Sequence, residues 1–293
     1  GPAAVVLLGP SGSGKSETGN TLSAGLNFKV SGGLESETLV PQAETTQFEG
    51  RAWQIVDTPG YFDTSRTAEE LDDALARFAE VVSDHIVTLA FVVPYGRFGD
   101  AHLRGWRLLR SAFGSSALGY TALVFTSSGE RTEDEIRSEV ARLCTKTPPP
   151  MLCGVVDELG SDRILAFGTL TDERRARDRA KLFGLAGGIE KAAHGRGYDH
   201  GEYLRSRERR RIIAERIAKL GSEEDRKMLE LLFQNAEAGA ISDHELMRRL
   251  QEAEGAVDET RMELLDFEDP QQGLGFLRQV GGGGRASGGR VPP

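Results

Sequence analysis

Cysteine is scarce in this sequence, with Cys144 and Cys153 the only two among 293 residues. Two cysteines so placed do not suggest metal ligation, and a reducing compartment is the expected setting. Long apolar runs are also missing: no stretch approaches the about 20 residues of a membrane-spanning helix, and no charged, apolar signal precedes the first predicted strand. We therefore expect a cytoplasmic protein, at most bound to the cytosolic face of an organelle membrane.

Positive charge is in deficit. The formal net charge is −9, which disfavours nonspecific attraction to nucleic acid as the main role. The local exception is a run of arginines in 205–211, followed by Ile212, Ile213 and Ile217. We interpret this run as the solvated face of an amphipathic helix, with contact to anionic lipid headgroups as the alternative.

The remaining composition predicts a globular α/β protein. Hydrophobic residues make up 39% of the chain and charged residues 28%, enough for one large core and a smaller appendage. Apolar strands are predicted near 3–8, 46–56, 86–93, 120–126 and 163–168. Helices are predicted at 15–24, 67–83, 101–112, 132–144 and 172–193. This alternation predicts a three-layer α/β sandwich: a mainly parallel central sheet with helices on both faces.

Three segments are expected along the chain. The α/β domain spans 1–200, and a helical extension spans 201–269, where strand signals stop. A Gly-rich tail at 270–293 lacks the apolar content that would offset its ordering entropy.

The most specific motif lies at the start of the chain. Residues 9–16, Gly-Pro-Ser-Gly-Ser-Gly-Lys-Ser, fit the P-loop pattern directly after the apolar run 3–8. Together with the predicted sheet, this motif predicts a P-loop NTPase three-layer sandwich with a C-terminal helical extension. Such a loop points backbone N–H groups at phosphate oxygens, while the helix that follows adds its positive dipole end. Lys15 would reach the β- and γ-phosphates, and the Ser16 hydroxyl would ligate Mg²⁺. The predicted contact set is Gly9, Ser11, Gly12, Ser13, Gly14, Lys15, Ser16 and Glu17.

A second motif follows the strand that ends at Val56. Asp57-Thr58-Pro59-Gly60 places an acid at a strand end, where it can hold Mg²⁺ through a water as a Walker-B aspartate does. The Gly60 N–H is placed to contact a γ-phosphate, so the loop beyond it could be ordered by a triphosphate and released on hydrolysis.

These stretches resemble the AIG-type GTPases, the immunity-associated (GIMAP) proteins and their relatives, which include the septins and plastid import receptor GTPases. The resemblance rests on the P-loop with residues 17–22, on residues 57–64, on the box at 91–98, and on the strand at 120–126 after Phe113-Gly114. It runs from about residue 4 to about residue 205. It implies GTP binding with Mg²⁺, GTP hydrolysis and a nucleotide-dependent homodimer or oligomer. Any membrane association would then use peripheral contact or segments outside this sequence, since many family members carry a C-terminal anchor.

The resemblance also assigns catalytic roles. The family's switch threonine, which completes Mg²⁺ coordination, falls on Thr38; Ser36 and a plain polar loop are the alternatives. The arginine that one subunit supplies to its partner's phosphates falls on Arg97, with a solvated loop arginine as the alternative. Tyr61 follows Gly60, so the glutamine that orients water in Ras-like GTPases is missing and intrinsic hydrolysis should be slow.

The base-contacting positions depart from the family. Thr126 is followed at the acid's position by Gly129, and Glu130 comes one residue late, so Glu130 could read guanine only from a re-registered loop. In the later loop, Gly168 precedes Thr169, which stands where many relatives have asparagine. GTP selectivity therefore rests on analogy, and a nucleotide-bound scaffold with little turnover and relaxed base specificity is the alternative. A P-loop kinase is a third, less favoured interpretation.

Overall fold

The computed structural model describes residues 1–25, 27–28, 41–58, 77–168, 171–199, 201–220, 223–237 and 243–254. It contains a six-stranded sheet in the order β2-β3-β1-β4-β5-β6, in which all neighbours are parallel except β2 and β3. The strands are β1 (Ala3–Leu8), β2 (Gln42–Phe48), β3 (Arg51–Asp57), β4 (Ile86–Pro94), β5 (Thr121–Thr126) and β6 (Ile164–Ala166). The predicted fold class, with its mainly parallel sheet, is confirmed.

One predicted strand is two strands. The segment predicted as a single strand at 46–56 is an antiparallel hairpin of β2 and β3. Glu49 and Gly50 form its two-residue turn, and both have positive φ, 48° and 76°, as the turn that best matches strand twist requires. The polar edge strand β2 was missed because it lacks an apolar run.

Helices cover both faces of the sheet. They are α1 (Lys15–Ser23), α2 (Asp100–Phe113), α3 (Glu133–Cys144), α4 (Met151–Leu159) and α5 (Asp172–Ala192). Residues 77–81 are also helical, and most of the helix predicted at 67–83 lies outside the described residues. Alternate residues of β1 face two separate cores, one packed by α2, α3 and α4 and the other by α1 and α5. In open sheets that are covered by helices on both faces, ligands bind at the carboxyl ends of the parallel strands.

Helix α4 and its covalent link were not predicted. Cys153 on α4 forms a disulfide with Cys144 at the end of α3, where the sequence suggested two thiols in a reducing compartment. Glu158 of α4 also accepts hydrogen bonds from Trp106 and Arg110 of α2. The disulfide joins α3 to α4, and both helices pack with α2 on the same face of the sheet.

Three further helices follow the sheet domain: α6 (Gly201–Ala218), α7 (Glu223–Glu237) and α8 (Asp243–Glu254). They share a small core of their own, formed by Ile213, Ile217, Leu229, Leu246 and Leu250. Both α6 and α7 contact α2. Over the described part of the chain, no helix is long and apolar enough to cross a membrane.

Candidate functional site

The P-loop lies between β1 and α1, as the motif predicted. Gly9 and Gly14 take positive φ of 144° and 91°, and each lies against the backbone or side chain of a neighbouring strand. A Cβ at Gly9 would lie 2.5 Å from the Val92 carbonyl oxygen, and one at Gly14 would lie 3.1 Å from the Thr126 side chain. These positions require glycine because the loop passes so close to β4 and β5. The loop is thus held against the ends of the central strands.

Lys15 is the buried cation of this loop. Its side chain is only 7% exposed, and its ammonium donates to the carbonyl oxygens of Gly9 and Pro10 at 3.0 and 2.9 Å. These two hydrogen bonds hold the Lys15 ammonium in one position over the loop. A fixed ammonium in a glycine-rich loop at the N-terminus of a helix suits phosphate.

Ser16 and Asp57 are brought together by the register of the sheet. Asp57 at the end of β3 lies beside Leu7 of β1, so it reaches the first turn of α1, where the Ser16 hydroxyl donates to its Oδ2 at 2.6 Å. Asp57 is 1% exposed, and its Oδ1 has no hydrogen-bond partner within the described residues. A buried carboxylate oxygen and a hydroxyl are hard oxygen ligands of the kind that Mg²⁺ prefers. The residues present therefore fit a magnesium ion.

Burial raises the pKa of Asp57, although Ser16 and the Lys15 charge lower it. A raised carboxyl pKa means that the folded protein disfavours the charged form. The contribution of Asp57 to stability is therefore most favourable below its unfolded-state pKa of about 3.9, and it falls as the pH rises from there through the folded-state pKa.

Asp57→Asn should consequently stabilise the protein at pH 7 in the absence of nucleotide and divalent cations. We expect a melting temperature above that of the wild type at this pH. The gain should shrink as the pH is lowered toward 4. Thermal melts with chelator across this pH range test the expectation, with Asp157→Asn, at an exposed position, as the control variant. A destabilised Asn variant at pH 7 would contradict it.

The two predicted base-contacting loops lie side by side at the ends of β5 and β6. The Thr126 hydroxyl donates to the Ser13 carbonyl oxygen at 2.8 Å, which ties the first of these loops to the P-loop. The Ser128 amide donates to the Phe167 carbonyl oxygen at 3.1 Å, joining the two loops directly. Gly129 has a positive φ of 64°. The structure thus brings Thr126 and Gly168 into one region with the P-loop.

Glu130 points toward helix α5. Its carboxylate is 66% exposed and lies 4.0 Å from Arg174 and 3.8 Å from Arg177. Arg174 and its neighbour Asp178 were not identified from the sequence, although both are buried and contact the two loops. One signal in the sequence could have indicated this pair. Arg174 and Asp178 are four residues apart and so share a helix face with the apolar residue Leu182.

Arg97 lies on an exposed turn after β4. The turn closes with a hydrogen bond from the Arg97 amide to the Pro94 carbonyl oxygen at 3.2 Å, and Gly96 has a φ of 74°. The Arg97 side chain is exposed and makes no hydrogen bond or ion pair with the described residues. An arginine presented in this way is accessible to a second molecule.

The turn that carries Arg97 is anchored on both sides. Before it, the Tyr95 amide donates to the Thr126 carbonyl oxygen at 2.8 Å, and the Tyr95 hydroxyl donates to Glu139 of α3. After it, the Gly99 amide donates to Nδ1 of His102, at 3.2 Å, at the start of α2. Burial lowers the pKa of His102, which favours the neutral ring that this bond needs. The Arg97 turn is therefore connected to the loop that was predicted to contact the base.

Some predicted site residues are not covered. Thr38 and its alternative Ser36, together with Gly60, Tyr61 and Thr169, lie outside the described residues. Ser11, Gly12 and Glu17 lie in the P-loop and the first turn of α1, as expected, with Ser11 and Gly12 exposed.

The profile of the AIG1 family matches residues 3–216. The chain is 27% identical over 199 residues to Immune-associated nucleotide-binding protein 9 of Arabidopsis thaliana, covering 66% of this chain and 57% of that protein. It is 26% identical over 179 residues to GTPase IMAP family member 8 of Rattus norvegicus, covering 61% and 25%. The aligned region therefore spans little more than half of the plant relative and a quarter of the rat relative.

Solved structures with a similar fold include Toc33 from Arabidopsis thaliana in complex with Mg²⁺ and GMPPNP. It has a TM-score of 0.46 and 19% identity, covering 67% of this chain and 86% of that chain. A single-residue variant of S. thermophilus NFeoB bound to GDP.AlF4⁻ has a TM-score of 0.44 and 15% identity, covering 95% and 99%.

Proposed function

The chain belongs to the AIG1 family, and we propose that it is a guanine-nucleotide switch that binds and slowly hydrolyses GTP with Mg²⁺. Control by dimerisation of the sheet domain is part of the proposal. The observation that carries the proposal is that Lys15, Ser16 and Asp57 come together at the ends of β1 and β3. Ser16 and Asp57 are hydrogen-bonded although they are 41 residues apart in the sequence.

Each of these residues has a distinct task in the proposal. The Lys15 ammonium would neutralise the β- and γ-phosphates, and backbone N–H groups of the loop and of the first turn of α1 would contact their oxygens. Ser16 and Asp57 would hold Mg²⁺ together with Thr38. The ion, when bound, offsets phosphate charge and favours departure of the γ-phosphoryl group. The Gly60 N–H would contact the γ-phosphate and so report whether it is present.

Two measurements on the purified protein test this function. Identification of the nucleotide that co-purifies with the protein, by denaturation and chromatography, examines occupancy and base together. A multiple-turnover phosphate-release assay with GTP and Mg²⁺ then examines hydrolysis. We expect a guanine nucleotide and slow release; absence of any nucleotide binding would overturn the proposal.

A nucleotide-bound scaffold with little turnover is the alternative. The observation that favours it is Glu130, which is drawn toward Arg174 and Arg177 on α5 while Gly129 occupies the position of the family's acid. Tyr61 in place of a water-orienting glutamine also favours it. Stable binding with no phosphate release above the uncatalysed rate would select this function.

Base choice gives a further prediction. Without an acid at position 129, the wild-type protein should distinguish GTP from ITP and ATP less sharply than ordinary GTPases, because a lost charged contact costs about 1.5–3 kcal/mol. Gly129→Asp should sharpen the preference for guanine, as measured by competition against a fluorescent nucleotide. Asp134→Asn, in the exposed first turn of α3, serves as a control. Strong guanine preference in the wild type that Glu130→Ala abolishes would show that Glu130 reads the base.

A further inference from the structure

Helix α5 carries a buried pair of opposite charges under the base-contacting loops. Arg174 and Asp178 are four residues apart, 2% and 0% exposed, and Arg174 Nε lies 2.9 Å from Asp178 Oδ1. Burying two charges costs desolvation energy that an apolar pair would avoid, so stability alone is a weak reason for such a pair. Its remaining contacts indicate another reason.

The hydrogen bonds that these two side chains make go to backbone groups of residues 131, 166 and 168. One guanidinium nitrogen of Arg174, Nη2, donates to the carbonyl oxygens of Arg131 and Ala166, at 2.9 and 3.0 Å. Asp178 Oδ2 accepts from the Gly168 amide at 2.8 Å. The pair therefore binds both loops at once, one through Arg131 and the other through Ala166 and Gly168.

The two loops also touch each other directly above this pair. A Cβ placed on Gly168 would lie 2.2 Å from the Gly129 carbonyl oxygen and 3.0 Å from Arg174 Nε. Only a residue without a side chain fits here, because the loops approach so closely. Any displacement of Arg174 or Asp178 would therefore change how residues 129 and 168 face one another.

This placement matters because Gly129, at the position of the family's base-contacting acid, has no side chain with which to contact a base. Backbone groups can discriminate between bases only if they are held in a fixed position, which requires support from the residues behind them. Arg174 also lies at 4.0 Å from Glu130 and so influences where the one nearby loop carboxylate points.

We propose that Arg174 and Asp178 are positioning residues for purine recognition, which hold residues 127–131 and 166–168 in the arrangement that distinguishes guanine from other bases. The inference rests on the proposed function, because it assigns a base to these loops. It predicts that the pair controls base discrimination separately from phosphate affinity.

The experiment compares nucleoside diphosphates that share their phosphates and differ in the base. Dissociation constants of GDP, IDP and ADP are measured with Mg²⁺ by competition against a fluorescent guanine nucleotide, for the wild type, Arg174→Met and Asp178→Asn. Arg179→Met is the matched control. Arg179 lies on the same helix and also donates to backbone carbonyl oxygens. Its acceptors, however, are Leu22 on α1 and Gln47 on β2, away from the two loops.

We expect Arg174→Met to reduce the ratio of ADP to GDP dissociation constants by about tenfold, the equivalent of roughly 1.4 kcal/mol. Asp178→Asn keeps an acceptor for the Gly168 amide and should give a smaller loss in the same direction. ADP affinity, which reports phosphate contacts, should change little. Arg179→Met should lower the melting temperature without changing the ratio, and it separates a positioning role from general destabilisation of α5.

Three results would overturn the inference. The first is an unchanged ratio in Arg174→Met despite a lower melting temperature, which would make the pair purely structural. The second is an equal loss of discrimination in Arg179→Met. The third is a ratio of ADP to GDP dissociation constants near one in the wild type, which would show that the protein binds nucleotide without discriminating between bases. If Arg174→Met does not fold, Asp178→Asn decides by the same criteria. Absence of all nucleotide binding by the wild type would instead overturn the proposed function itself.

Discussion

Lys15→Met should lower the affinity for GTP by at least about 100-fold. The substitution keeps most of the side-chain volume in a buried position and removes the ammonium that Gly9 and Pro10 hold over the loop. Hydrogen bonds to charged groups contribute about 1.5–3 kcal/mol each, and this ammonium would serve two phosphates, so a loss of about 3 kcal/mol is a conservative estimate. Isothermal titration calorimetry with Mg²⁺ and a non-hydrolysable GTP analogue measures the effect.

Two further variants define the meaning of this result. Lys191→Ala removes an exposed lysine at the far end of α5 and should leave affinity unchanged. Ser16→Asn disturbs the partner of Asp57, so its loss of triphosphate affinity should depend on Mg²⁺. Near-native GTP affinity in Lys15→Met, with an intact melting transition, would refute the assignment of the loop to phosphate.

Arg97→Ala should reduce GTP turnover by about 10³-fold or more while leaving nucleotide affinity nearly intact. An arginine that contacts the transferring phosphoryl group contributes about 10³–10⁵ in rate in GTPases. Arg97 has the geometry of a donor to another molecule, because it lies exposed on a turn that is anchored through Tyr95 and Gly99. Wild-type turnover per protein should therefore rise with protein concentration, and the variant should show no such rise.

The control for Arg97 is Arg107→Ala, which removes an exposed arginine from the next helix and should keep the concentration dependence. A mixture of Arg97→Ala and Lys15→Met proteins should recover part of the activity if the second can donate its arginine without binding nucleotide. Turnover that is independent of concentration up to tens of micromolar, or unaffected by Arg97→Ala, would show that no arginine is supplied between subunits.

Much of the fold could be predicted because buried parallel strands have a simple signature. Strand β1 was placed correctly since both of its faces are covered and the sequence is apolar without interruption from Ala3 to Leu8. Strand β2 and helix α4 were missed for opposite reasons. The edge strand β2 is polar along most of its length, and the short apolar run of α4 does not distinguish a helix from a strand.

The candidate site divides in the same way. Lys15, Ser16 and Asp57 could be identified because the chemistry of phosphate and magnesium fixes both residue type and spacing within a local motif. Arg174 and Asp178 could not, because their role depends on carbonyl and amide groups that come close only after the sheet has formed. A side chain that binds backbone groups does not require particular residue types at the positions it contacts, so the sequence carries no pattern that reveals it.

The disulfide turns residues 144–153 into a closed ring within the chain. Lys146 is exposed in that ring and is followed by Thr147, so trypsin has a cleavage site there. A single cut after Lys146 would leave the two fragments covalently joined, and the nicked protein would migrate as one species until a reductant is added. Gel mobility with and without reductant after brief proteolysis would therefore show which fraction of a preparation carries the closed ring.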